Sequence, residues 1–232
     1  MRSLVLVAVL SMMSLGGYWA LTSGKVPLPG AASVEQIGQP GAAPGGLPSA
    51  PADGAPMPGR SLPTVEIDLD AVTYAVEGST PEDILRSLIE RGPSSEGQRF
   101  FGLTETAIDL RYDQREVASG CLIEDAQVLL SLTITLPEWT PAPDADPETR
   151  RAWSRFRRAL AQHEDRHRAI AEEGAQALQR AIDGMLRSDC ETVALESRRR
   201  LERLEVEIAA AHRRYDSETG HGRTEGAVWP SP

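Results

Sequence analysis

The chain has 232 residues, 41% of them hydrophobic and 25% charged, the balance of a soluble globular protein with room for one domain or two small ones. That composition excludes a polytopic membrane protein and a wholly disordered chain. With 24 Lys plus Arg against 34 Asp plus Glu the formal net charge is -10, so phosphate backbones exert no long-range attraction and nucleic acid is not expected as a partner.

Met1 and Arg2 precede an apolar run over residues 4–21, the short positive start and hydrophobic core of an export signal. Residues 1–22 are therefore read as a signal peptide or an uncleaved anchor, outside the fold, and the membrane enters only through that segment. The only cysteines are Cys121 and Cys190, which excludes lipid attachment through a cysteine near residue 20. Residues 23–63 are dominated by Pro, Gly and Ala, with too few large apolar side chains to offset the entropy of ordering. They read as a disordered linker.

A domain is expected over 64–222, with a flexible tail over 223–232. Val65, Ile67 and Leu69 alternate with acidic residues and run into Val72, Tyr74 and Val76, the period of a half-buried strand that ends near Gly78. Thr80 and Pro81, followed by Glu82 and Asp83, open a short helix that Gly92 and Pro93 stop. Two alternating segments follow, residues 104–117 and 122–136, separated by Ala118, Ser119 and Gly120, and predict an antiparallel pair.

Asp146, Pro147 and Glu148 begin a long helical pattern in which Trp153, Phe156, Leu160, His163, His167, Ile170, Leu178 and Ile182 recur at steps of three and four. Ser188 and Glu191 have the spacing of a capping box, which starts a second helix carrying Leu201, Leu204, Ile208 and Tyr215. The expected fold class is α+β: a small, mostly antiparallel sheet with one short helix, packed against a long antiparallel helical hairpin. Cys121 starts one strand and Cys190 the second long helix, so a Cys121 to Cys190 disulfide is expected in an oxidising compartment.

The chemistry concentrates in His163-Glu164-Asp165-Arg166-His167. This matches H-E-x-x-H, in which a four-residue step puts both imidazoles on one helix face and the adjacent glutamate serves as general base beside a zinc ion. Both histidines continue the apolar stripe, so they point inward, where an unpaired ring costs free energy and ligation satisfies it. A third ligand is needed. With the turn near Ser188, the position opposite His163 is about residue 213, where the chain carries His212, Asp216 and, beyond the helix, His221. Spacing alone does not choose among these three.

The H-E-x-x-H helix, the later Tyr215-Asp216-x-x-Thr219-x-His221-Gly222 and the earlier Leu136-Pro137-x-Trp139 resemble a bacterial family described as predicted secreted zinc-dependent proteases, formally a domain of unknown function, across most of residues 65–222. The resemblance implies an exported zinc protein with His163 and His167 as ligands, Glu164 as the catalytic acid/base and His221 as third ligand, with Asp216 and His212 as alternatives. The leading expectation is a zinc-dependent peptidase acting on a peptide or protein of the cell envelope, with Tyr215 either stabilising an oxyanion or packed in the core. The competing expectation is a non-catalytic envelope binding or scaffold protein with a structural or vestigial metal site.

Overall fold

The structure is a computed structural model that describes residues 5–11, 65–95 and 97–230; the linker expected over 23–63 and most of the segment expected as a signal peptide or anchor lie outside the described residues. The element order is β1 (Val5–Ser11), β2 (Glu66–Val76), α1 (Pro81–Arg91), β3 (Ser94–Ser95), β4 (Gln98–Arg99), β5 (Leu103–Val117), β6 (Gly120–Trp139), α2 (Pro147–Ile182), β7 (Leu186–Arg187) and α3 (Cys190–Thr219), followed by a short 3-10 turn at Arg223–Glu225. The α+β class and the helical hairpin are as expected.

The main sheet runs β1-β5-β6-β2, with β7 paired to β6. β5 and β6 are the expected hairpin. β2 runs parallel to β6 from Glu66 opposite Leu129 to Val76 opposite Trp139, so β6 continues through Pro137, three residues past the expected end. Val5–Ser11, read from sequence as standing outside the fold, instead pairs antiparallel along β5, from Val5 opposite Tyr112 to Ser11 opposite Thr106. The physical reason is that β5 has β6 on one side only, and a second extended segment satisfies the N–H and C=O groups of its other edge.

One face of the sheet carries Ile108, Leu110 and Tyr112 of β5 with Cys121, Ile123, Val128, Leu130 and Leu132 of β6, all buried. The inward positions of β6 switch from odd to even numbers between Ile123 and Val128. A register shift at Arg111/Asp113 and a left-handed Asp125 (φ 49°) account for it, since one extra residue in a strand reverses every later side chain. The Gln179 side chain secures the irregularity, accepting from Val128 N and donating to Ala126 O, both at 2.8 Å.

The helices begin at their caps. Thr80 accepts from Asp83 N at 3.2 Å, and Asp146 accepts from the amides of Glu148 and Thr149 at 2.8 Å. The cap of α3 is Asp189, which accepts from Thr192 N at 2.7 Å while the Ser188 hydroxyl donates to it. The Ser188/Glu191 box is thus displaced by the next residue, whose carboxylate carries the negative charge that favours a helix start.

Two cores form along α2. Its C-terminal half (Ala171, Ala175, Leu178, Ile182) packs with α3 on the sheet. Its N-terminal part joins Trp139, Trp153, Phe156, Leu160 and Trp229 in an aromatic group around Ile84 and Leu88 of α1, with Trp153 and Phe156 ring centroids 5.5 and 5.6 Å from that of Trp229. The expected free tail over 223–232 is therefore corrected: Trp229 is only 5% exposed and its indole donates to Pro81 O at 3.0 Å, because the apolar area of an indole outweighs the entropy of a short tail.

Cys121 and Cys190 are disulfide-bonded as expected, with Cα atoms 5.0 Å apart and 69 residues of sequence separation. The bridge fits an oxidising compartment. Among the described residues, no helix is long and apolar enough to cross a membrane.

Candidate metal centre

The gap between the two cores is where α2 turns polar. His163, Glu164 and His167 are all buried there, while the intervening Asp165 and Arg166 face solvent with side chains 61% and 49% exposed. Charged residues inside the motif therefore do not disturb its buried side. His163 and His167 meet the last turns of α3, where His212 and Asp216 are buried.

Three atoms converge. His163 Nε2 lies 3.2 Å and His167 Nε2 3.0 Å from the same Asp216 Oδ1, and the two imidazole nitrogens are 3.3 Å apart. A tetrahedral zinc ion with bonds of about 2.0–2.1 Å separates its ligand atoms by roughly 3.3 Å, so this triangle has the size that one ion needs. His163, His167 and Asp216 thus form a buried cluster able to hold a metal ion.

Donor accounting supports the fit. A carboxylate only accepts, and an imidazole has one proton when neutral. His163 faces Asp216 with Nε2 and Glu225 with Nδ1, the latter at 2.9 Å. Protons alone satisfy both only if the ring is an imidazolium, and a cation on the Nε2 side satisfies it as a neutral ring. Burial alone would lower the His163 pKa, but the hydrogen bonds to Asp216 and Glu225 and the negative charges of Glu164 and Asp216 raise it above its ordinary value. Burial would raise the Asp216 carboxyl, and the two histidines outweigh that and hold it at about 2. Asp216 Oδ2 and His221 Nδ1 are buried with no hydrogen-bond partner among the described residues.

Glu164 sits on the sheet side of α2. Its Oε2 accepts from the Thr104 hydroxyl at 2.8 Å, and a Cβ on Gly102 would lie 2.7 Å from its Oε1, so glycine is what lets the approach to β5 close over the carboxylate. Burial pushes the Glu164 pKa up; His167, His163 and the Thr104 hydrogen bond offset part of that.

Of the sequence-predicted residues, His163, His167 and the alternative Asp216 come together. His221, the third ligand that the resemblance implied, stands at the rim: it is left-handed (φ 56°) just past the Gly220 cap, and its Nδ1 is 3.7 Å from Asp216 Oδ1. His212 lies behind the cluster, its Nδ1 2.8 Å from His167 Nδ1. The Tyr215 ring stacks on His163 at 4.9 Å and its hydroxyl donates to Glu225 at 2.8 Å, so of the two roles expected for it the geometry favours packing. Sequence reasoning missed Thr104 and Glu225. Nothing in the strand pattern singles out Thr104, whereas Trp229 in a ten-residue tail was a legible sign that the segment carrying Glu225 docks.

The bacterial protein family of unknown function DUF922 matches residues 71–222. No curated protein and no solved structure matches the chain.

Proposed function

We propose that this chain, which belongs to the bacterial DUF922 family of unknown function, is an exported zinc-dependent hydrolase acting on peptide bonds, with His163, His167 and Asp216 as ligands and Glu164 as general acid/base. The observation that carries the reading is the triangle of Nε2, Nε2 and Oδ1 atoms with sides of 3.0, 3.2 and 3.3 Å. Two imidazoles and one carboxylate are a donor set found in zinc peptidases, and three protein ligands leave a coordination position open. Asp216 replaces His221 as the proposed third ligand because its oxygen is already in the triangle. The disulfide and the leader pattern support export.

Zinc supplies a Lewis acid and a strong nucleophile at neutral pH. The protein's part is proton handling and orientation. Glu164, whose pKa burial raises, is suited to take a proton and return it to a leaving amine. Thr104 holds one carboxylate oxygen by its hydroxyl hydrogen bond and so fixes the orientation of the group. With His167 Nε2 given to the ion, its Nδ1 would carry the proton and His212 Nδ1, 2.8 Å away, would accept it, which holds the ring in place.

Glu164→Gln should keep zinc and lower the rate of peptide cleavage by about 10²–10⁴-fold, measured on a mixed-sequence peptide pool with zinc content assayed beside it. Full activity in that variant would end the catalytic proposal. A second reading, a non-catalytic envelope binding or scaffold protein with a structural metal, has one observation in its favour: the unpartnered Nδ1 of His221 is near enough to Asp216 to complete four protein ligands, and four ligands close a zinc site.

A further inference from the structure

Glu225 lies three residues past the end of the family match and in the segment that composition reads as a tail. Its Oε2 is 2.9 Å from His163 Nδ1, and both of its oxygens accept from the Tyr215 hydroxyl, at 2.8 and 2.9 Å. A carboxylate has no proton to give in its ionised form, so His163 Nδ1 must carry the hydrogen in this contact, and the lone pair of a neutral ring is then on Nε2, the atom that faces His167 and Asp216.

The segment is placed by both of its ends. At one end α3 stops at a left-handed Gly220, and Gly222 (φ 75°) passes so close that a Cβ there would come within 3.1 Å of His163 Cγ and 2.9 Å of Ala227 Cβ. At the other, Ala227 N donates to Gly222 O at 2.9 Å, and Ala227 and Trp229 are buried in the aromatic core. Between these anchors the turn Arg223–Glu225 presents one side chain to the cluster.

We infer that Glu225 is a positioning residue of the metal centre: through its hydrogen bond it fixes the His163 tautomer and ring orientation, and the strap from Gly222 to Trp229 exists to hold it there. The Tyr215 hydroxyl steadies the carboxylate while its ring covers His163. The inference rests on the metal reading of the cluster, and it differs from that reading in assigning part of the affinity to a residue that never touches the ion. Outer partners of ligating histidines contribute about 10–100-fold in metal affinity.

The test is zinc affinity by competition with a chromophoric chelator, on the whole chain, for the parent, Glu225→Gln, Glu225→Asp and Glu225→Ala, with thermal unfolding in excess chelator recorded for each. A glutamine oxygen accepts the same N–H, so Glu225→Gln should stay within about threefold of the parent, while Glu225→Ala and Glu225→Asp, which remove or withdraw the acceptor, should bind about 10–100-fold more weakly with unfolding midpoints close to the parent's. If Glu225→Ala does not fold, Glu225→Asp against Glu225→Gln gives the same contrast, because charge is kept in the weaker variant and lost in the tighter one. Equal affinity in all four would overturn the inference and leave the metal centre standing. Weakening by Glu225→Gln as large as by Glu225→Ala would also overturn it, since charge and not the hydrogen bond would then be responsible. A parent that binds no zinc would sink the metal reading, and this inference with it.

Discussion

Asp216 of α3 brings one carboxylate oxygen to 3.2 Å from His163 Nε2 and 3.0 Å from His167 Nε2 of α2. The H-E-x-x-H step identified His163 and His167, and both occupy the cluster. The position expected opposite His163, about residue 213, falls three residues short of Asp216, because the mirror calculation put the turn of the helical hairpin at Ser188. After α2 the chain first runs out to pair Leu186 and Arg187 with Cys121 and Leu122 at the end of the sheet, so α3 starts beyond the end of α2 and its residues meet their partners later in number. His167 is opposite His212 and His163 opposite Asp216 as a result. His212 offers a prediction at this scale. Burial, with the charge of His167 beside it, lowers its pKa from 6.5 to about 4. Above roughly pH 6.5 the ring is neutral whether the chain is folded or not; between there and about 4 only the unfolded chain takes the proton, so stability is lost as pH falls through that window. In chelator, His212→Gln should flatten the fall in unfolding midpoint between pH 7 and 4.5, and parallel curves for variant and parent would contradict this.

Elements were the most legible level. Helix starts were visible as caps, Thr80 before Pro81 and Asp146 before Pro147, and the long helix as a stripe of apolar residues, because local chemistry determines both. The switch in side-chain parity along β6 was not visible, since Cys121, Ile123, Val128, Leu130 and Leu132 alternate cleanly on either side of the break and nothing local marks the extra residue. What stabilises it is distant in sequence: Gln179 of α2 supplies an acceptor to Val128 N and a donor to Ala126 O. Gln179→Leu keeps the volume of the buried side chain and removes both, leaving an N–H unpaired in a site where Val128 is fully buried. Destabilisation of about 1–3 kcal/mol is expected, read from the denaturant midpoint. A loss under about 0.5 kcal/mol, the range of an ordinary surface change, would mean that the irregularity is not held by this side chain. At the opposite edge of the sheet, β2 exposes both faces along most of its length, and Glu66, Asp68 and Asp70 put charge where another strand would otherwise add.

For the whole molecule, the α+β class and the helical hairpin followed from periodicity, and the disulfide from two cysteines placed at the starts of a strand and a helix. The bridge closes a loop of 69 residues between β6 and α3, which in the chain-entropy account contributes on the order of 4 kcal/mol. The division of the interior into two apolar groups was not legible, because a continuous stripe along α2 gives no sign that its two ends face different partners. That division is what creates the site: His163, Glu164 and His167 lie in the stretch of α2 between the aromatic group and the main core, closed by the end of α3 on one side and by the Glu225 strap beside it. The proposed function requires that this junction bind zinc through His163, His167 and Asp216. It is tested most directly by elemental mass spectrometry on protein purified without a metal-binding tag, with the parent compared against Asp216→Ala and His221→Ala. About one zinc per chain is expected in the parent, retained in His221→Ala and lost in Asp216→Ala. Zinc lost from His221→Ala as well would favour the closed, structural centre, and a parent free of zinc after incubation with the metal would contradict the claim outright.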